Sequence, residues 1–161
     1  SETYADYGPE HPDATVAGAG AYLAQLLSER GWNVIHDTTA YDQKEGKLER
    51  SRAYTYALEG IQGILQEHPE TDCMMFSLDI MACGALRSLW EKSVSVPEQI
   101  AIVGCDNTTV SKIYMPQLTT IDTVLMDCSV TIAHQLTDCI EGRETNHKTI
   151  LSTNFIRRET T

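Results

Sequence analysis

Residues Cys73 to Cys105 read CMMFSLDIMACGALRSLWEKSVSVPEQIAIVGC, and this stretch decides the fold. Its two ends, Cys73-Met74-Met75-Phe76 and Ile100-Ala101-Ile102-Val103, are continuous apolar runs rather than alternating ones, the pattern of parallel strands covered on both faces. A helix starting at about Asp79 and reaching Trp90 lies between them, so the segment is a βαβ crossover, a connection that is almost always right-handed. Upstream, residues 14–30 carry Tyr22, Leu23, Leu26 and Leu27 on one helical face and stop at Gly31. Trp32 to His36 then reads as a strand, Asp37 to Leu48 as a long polar surface loop, and a further helix from about Glu49 places Tyr54, Leu58, Ile61 and Leu65 together before His68-Pro69 ends it. Downstream come a short strand, Leu118 to Asp122, a helix, Leu125 to Ile140, and an extended tail, Lys148 to Ile156, with room for two short strands. This alternation predicts an α/β fold: an open, mostly parallel, doubly wound sheet with helices on both faces.

The chain has 161 residues, 42% of them hydrophobic and 22% charged, which suits a single globular domain with a core of its own. Twelve Lys and Arg against 23 Asp and Glu leave a net charge of −11, a field that repels phosphate backbones and anionic lipid, so neither nucleic acid nor a membrane surface is expected as a partner of this segment. No stretch approaches a membrane span and the first residues have no signal-peptide pattern, so a soluble chain is expected. Cys73, Cys83, Cys105, Cys128 and Cys139 are odd in number, widely spaced and free of any C-x-x-C; they read as reduced thiols, which points to the cytoplasm.

Small ligands bind open α/β sheets at the carboxyl ends of the strands. Two positions qualify. Ser77 and Asp79 follow the first apolar run, and Asp106 and Asn107 follow the second through Gly104-Cys105. A carboxylate there can accept two hydroxyl hydrogen bonds from a sugar or nucleoside. Asp79 also suits a helix N-cap, and Asp106-Asn107-Thr108-Thr109 is also turn chemistry, so each position has a structural reading beside the ligand one. The helix after Asp79 has no polar face from Ile80 to Leu86 and no charge before Arg87, so it needs cover from another element or from a second chain. Gly18-Ala19-Gly20 lacks the third glycine of a dinucleotide fingerprint, Gly46-Lys47 lacks the first glycine of a P-loop, and there is no G-x-S-x-G or H-E-x-x-H. The five histidines never pair at metal spacing, so no metal and no cofactor are expected.

Four segments in order resemble the C-terminal region of lactose-repressor-type (LacI/GalR) transcription regulators: Asp79-x-x-Ala82-x-Gly84-Ala85; Val96-Pro97-Glu98-x-Ile100-Ala101-Ile102-Val103-Gly104-x-Asp106; Pro116-x-Leu118-Thr119-Thr120-Ile121; and Phe155-Ile156-Arg157-Arg158-x-Thr160-Thr161. The resemblance implies one lobe, residues 1–161, of a periplasmic-binding-protein-like effector domain, with the DNA-binding headpiece and most of the first lobe outside the chain. It implies that a sugar- or nucleoside-class effector is bound between two lobes with Asp106 as anchor, and that operator DNA is touched only through the headpiece. The family's Asn-Asp pair falls on Leu78-Asp79, where leucine cannot hydrogen-bond, and the arginine of its first helix has no counterpart, since residues 1–29 contain neither Lys nor Arg. Arg52 and Tyr54 are the candidates for its aromatic stacking position. Its dimer contacts fall on Cys83, Leu86, Ile113 and Tyr114, which makes a homodimer the expected assembly.

The expected function is therefore a non-enzymatic, allosteric effector-binding and dimerisation domain. One alternative is the solute-binding protein of a sugar transporter, with the same lobe fold. A second is a small doubly wound hydrolase or transferase using Asp106 as base or nucleophile, for which no partnered His or Lys is in sight.

Overall fold

The computed structural model describes residues 24–35, 53–145 and 149–161. Two compact units divide the chain, Ser1–Leu48 and Glu49–Thr161. In the first, residues 24–28 are helical and end as the glycine predicts. Gly31 adopts a φ of 87°, its N–H donates to the Ser28 carbonyl and that of Trp32 to Leu27, the paired bonds of a Schellman close. Residues 32–35, expected as a strand, make no ladder among the described residues; a strand is defined by the partner of its backbone groups, and none is seen here. Tyr22, Leu23, His36 and the 37–48 loop lie outside the described residues.

The second unit begins with α1, Ala53–Glu67, which leads into β1, Cys73–Met75. The crossover helix α2 spans Asp79–Glu91 and returns to β2, Ala101–Cys105. A short helix α3, Thr109–Ile113, joins β2 to β3, Thr119–Asp122; the amphipathic α4, Leu125–Ile140, follows, and β4, Asn154–Ile156, closes the sheet. The strands lie in the order β1-β2-β3-β4. The first three are parallel, in the registers Met74↔Ile102 and Gly104↔Thr120, and β4 runs antiparallel to β3 with Phe155 opposite Ile121. The open, mostly parallel sheet is as expected; the tail supplies one strand rather than two.

Because the strand order does not reverse, successive right-handed crossovers place α2 and α3 on the same face. Met74 and Ile102 on that face pack with Ala82, Cys83, Ala85, Leu86 and Leu89 of α2 and with Ile61 of α1. Among the described residues this is where helix cover is seen. On the other face Met75 and Phe155 are exposed, and α4 buries none of its residues. The α1–α2 approach depends on Gly84, where a Cβ would overlap the Tyr54 carbonyl. At the foot of the sheet Thr160 sits between β2 and the start of β3: its hydroxyl donates to the Ile102 carbonyl (2.6 Å) and accepts from the Thr119 N–H (2.9 Å), and its carbonyl accepts from the Ile102 N–H.

Candidate functional site

Parallel β1, β2 and β3 end on the same rim, so residues 76–78, 106–108 and 123–124 form neighbouring loops there. Asp79 stands just below them, at the first position of α2, and is 1% exposed. Its Oδ2 accepts from the Thr108 N–H (2.6 Å) and the Thr108 hydroxyl (2.7 Å), and its Oδ1 accepts from the Thr120 hydroxyl (2.5 Å). Gly104 makes room for it, since a Cβ at that position would overlap Oδ1. The N-cap position expected for Asp79 falls on Leu78, and Asp79 itself is sealed with three donors already on its carboxylate, which sets its structural role against the ligand reading. It is the tie between α2, the 106–108 loop and β3.

Asp106 behaves differently. It leaves β2 with a φ of 98°, its N–H bonded to the Ile121 carbonyl at 2.8 Å, and it is partly exposed. Among the described residues its Oδ1 has only long contacts, with the Thr123 hydroxyl at 3.4 Å and the Cys105 thiol at 3.9 Å. Burial, then the charge of Asp106, pushes the Cys105 thiol up to about 11, so at neutral pH it is no nucleophile.

Asn107 follows in the left-handed region, with a φ of 48°. Its Nδ2 donates to Asp122 Oδ2 (3.0 Å) and its Oδ1 accepts from Arg158 Nη2 (2.6 Å). Asp122 in turn accepts the N–H of Val124, itself left-handed, at 2.9 Å. That backbone bond, then the one from Asn107, holds the Asp122 carboxyl below its usual range. Arg158 also donates through Nη1 to the Leu118 carbonyl (2.6 Å) and the Ser111 hydroxyl (3.1 Å). In the sequence Thr108 has only a place in a turn, and Thr120, Asp122 and Arg158 have no role; the available signal is two threonines between Leu118 and Ile121 and an arginine repeated in the tail motif.

The remaining candidates scatter. Leu78 is extended and half-buried directly before α2. Tyr54 packs against the α1–α2 core, and its side chain bonds that of Tyr114, which burial and this bond push up to about 12. Arg52 lies outside the described residues. Cys83 and Leu86 are 1% and 4% exposed, so the cover the apolar helix needs is found within the chain, and neither is open to a second copy. Ile113 is 70% exposed and Tyr114 half-buried. Among the described residues no three His, Cys, Asp or Glu side chains gather to hold a metal, and no helix is long and apolar enough to cross a membrane.

The family model described as "periplasmic binding protein-like domain" matches residues 8–161, nearly the whole chain. The chain belongs to this family. Within it the domain is of the LacI/GalR type. It is 28% identical to the lactose operon repressor of Escherichia coli K12 over 151 residues, which cover 92% of this chain and 41% of that protein. A 43-residue stretch, 27% of this chain and 13% of the relative, is 51% identical to the PurR transcriptional repressor of Pasteurella multocida. Among solved structures, a LacI family regulator from Arthrobacter sp. FB24 in complex with lactose superposes with a TM-score of 0.68 at 28% identity, covering 88% of this chain and 50% of that one. The LacI-type domain spans 30–41% of the length of the AscG, lactose-operon and MalR regulators it matches.

Proposed function

We propose that this domain is the effector-binding and dimerising lobe of a LacI-type transcriptional regulator, and that Asp106 anchors the effector. The observation that carries the reading is the contrast between the two rim carboxylates: Asp79 is spent on three internal bonds, while Asp106 is partly exposed and, among the described residues, makes only long contacts. A ligand hydroxyl or amine facing Asp106 would make the short bonds the protein does not make itself. Effector bound between this lobe and a companion would favour one lobe geometry, and its differential affinity for the two geometries would shift operator binding by the headpiece. That the matched proteins are transcriptional regulators supports this over a transporter's solute-binding protein. No catalytic role is assigned to Asp106 or to the neutral Cys105 thiol, and the cytoplasm is the compartment the reading requires. Leu78 at the rim argues for an effector with one apolar face rather than hydroxyls all round.

The test is Asp106→Ala in the full-length regulator, screened by thermal shift against lactose, cellobiose and a nucleoside panel and then for operator release. Loss of charge-assisted bonds worth about 1.5–3 kcal/mol should weaken any hit roughly 10- to 100-fold with the fold intact. A hit that binds and releases operator equally well without the carboxylate overturns the assignment.

A further inference from the structure

We infer that Arg158 in the C-terminal tail is a positioning residue for Asp106, acting through Asn107; the inference rests on the reading of Asp106 as effector anchor. Asp106 and Asn107 are consecutive non-glycine residues at φ values of 98° and 48°, a conformation that persists only when its surroundings enforce it. Among the described residues the enforcing contacts come from β3, α2 and the tail. β3 supplies the Ile121 carbonyl to the Asp106 N–H, the Thr120 hydroxyl to the Asn107 N–H (3.3 Å), and the Asp122 carboxylate to Asn107 Nδ2. α2 supplies Asp79 to Thr108. The remaining contact comes from the tail: the Arg158 guanidinium spans from Asn107 Oδ1 to the Leu118 carbonyl and Ser111 hydroxyl, with two nitrogens engaged at once, while the Arg158 N–H donates to Thr119 Oγ1 at 2.8 Å.

This geometry divides the labour within the tail. Thr160 serves the foot of the sheet through Ile102 and Thr119, remote in connectivity from the rim. Arg158 reaches the rim loop itself and fixes which way the Asn107 amide faces, since the amide's oxygen meets the arginine and its nitrogen meets Asp122. With the amide locked, the peptide carrying Asp106 cannot relax out of the left-handed region, and its carboxylate keeps its place beside Thr123. A planar fork makes this possible; an ammonium of equal charge has no second planar donor to hold both the loop and Leu118.

Hydrogen exchange of the whole chain, followed by mass spectrometry without any effector, tests the clamp. Arg158→Gln should speed exchange of the amides at 106–108 about tenfold or more while α1 amides keep wild-type protection; Thr160→Val should act instead at 102 and 119. Arg158→Lys should not restore protection at the rim, and it carries the test alone if Arg158→Gln fails to fold. Wild-type exchange at 106–108 in the folded arginine variant, rescue by lysine, or acceleration spread evenly over the domain each overturns the inference. None of these outcomes touches the anchor role of Asp106, which the alanine variant tests with sugars and nucleosides.

Discussion

Thr120 donates its hydroxyl to Asp79 Oδ1 across 2.5 Å inside the layer between β3 and α2, where both residues are buried. Two elements 41 residues apart in sequence are thereby joined by a charge-assisted bond out of reach of water. Removing the acceptor leaves three donors, the Thr120 hydroxyl and both the N–H and hydroxyl of Thr108, without the partner they have now. Asp79→Ala is therefore expected to cost about 3 kcal/mol or more, and Thr120→Val, which removes one donor and keeps the shape, about 1–2 kcal/mol. Urea denaturation midpoints measure both. A loss under about 1 kcal/mol for Asp79→Ala contradicts the structural role and returns the residue to the list of ligand groups.

Helix packing gives a prediction whose sign changes between glycines. A Cβ at Gly84 would overlap the Tyr54 carbonyl, a backbone atom of α1 that cannot step aside without moving the helix, whereas a Cβ at Gly60 or Gly63 meets nothing within 4 Å. Gly84→Ala should destabilise the domain by about 1–3 kcal/mol. Gly60→Ala, on an exposed helical site, should stabilise it by about 0.4–1 kcal/mol through the unfolded chain and helix propensity. Thermal melting of the pair checks the opposite signs.

The alkaline limb of stability starts with two thiols, before Tyr114, raised from 10.0 to about 12, adds to it. Cys83 and Cys105 are pushed up from an ordinary value of 9.0 to about 11, chiefly by burial. Between those values the folded chain holds protons that the unfolded chain has released, so stability is full below about pH 9 and falls as the pH rises toward 11. Denaturation midpoints should decline over that window and the decline should shrink in Cys105→Ala. At pH 8 iodoacetamide should modify the exposed Cys139 before Cys83; the reverse order contradicts the burial.

Much of this architecture was legible from local pattern. The limits of α4, Leu125–Ile140, come straight from an uninterrupted amphipathic period, and the βαβ unit comes from two apolar runs whose strands need no long-range information to be recognised. The site was half legible. An aspartate after a strand looks the same whether it serves a ligand, as proposed for Asp106, or the fold, as for Asp79; what separates them is Thr120 and Thr108, which only the folded chain brings to Asp79. The apolar helix posed the same difficulty. Its sequence requires cover on every side, but whether α1 or another chain provides it depends on how closely two backbones approach at Gly84. For Arg158 the repeated arginine of the tail motif did not reveal a role, since its partners Asn107, Ser111 and Leu118 all lie some 40 or more positions away.

The homodimer proposal can be narrowed by what the fold leaves open. Cys83 and Leu86 are sealed, but Trp90 is 69% exposed on α2, and Ile113 and Met115, 70% and 74% exposed, end or follow α3, which packs on the same face as α2. Arg87 stacks over the Trp90 ring at 4.7 Å and pairs with Glu91 at 2.7 Å, which puts charge beside the exposed indole. Large exposed apolar groups on one helix layer, with charged neighbours, have the composition of an interface centre. Ile113→Asp in the full-length regulator is expected to lower dimer affinity at least tenfold, since an unpaired carboxylate must be desolvated on each side of a twofold contact. Cys83→Ala should leave assembly unchanged while costing about 1–2 kcal/mol of stability from the lost core volume. Sedimentation across a concentration series separates the two effects. A dimer that survives Ile113→Asp but dissociates on Cys83→Ala means that α2 opens to its partner only after α1 moves away, and the exposed face then has some other use.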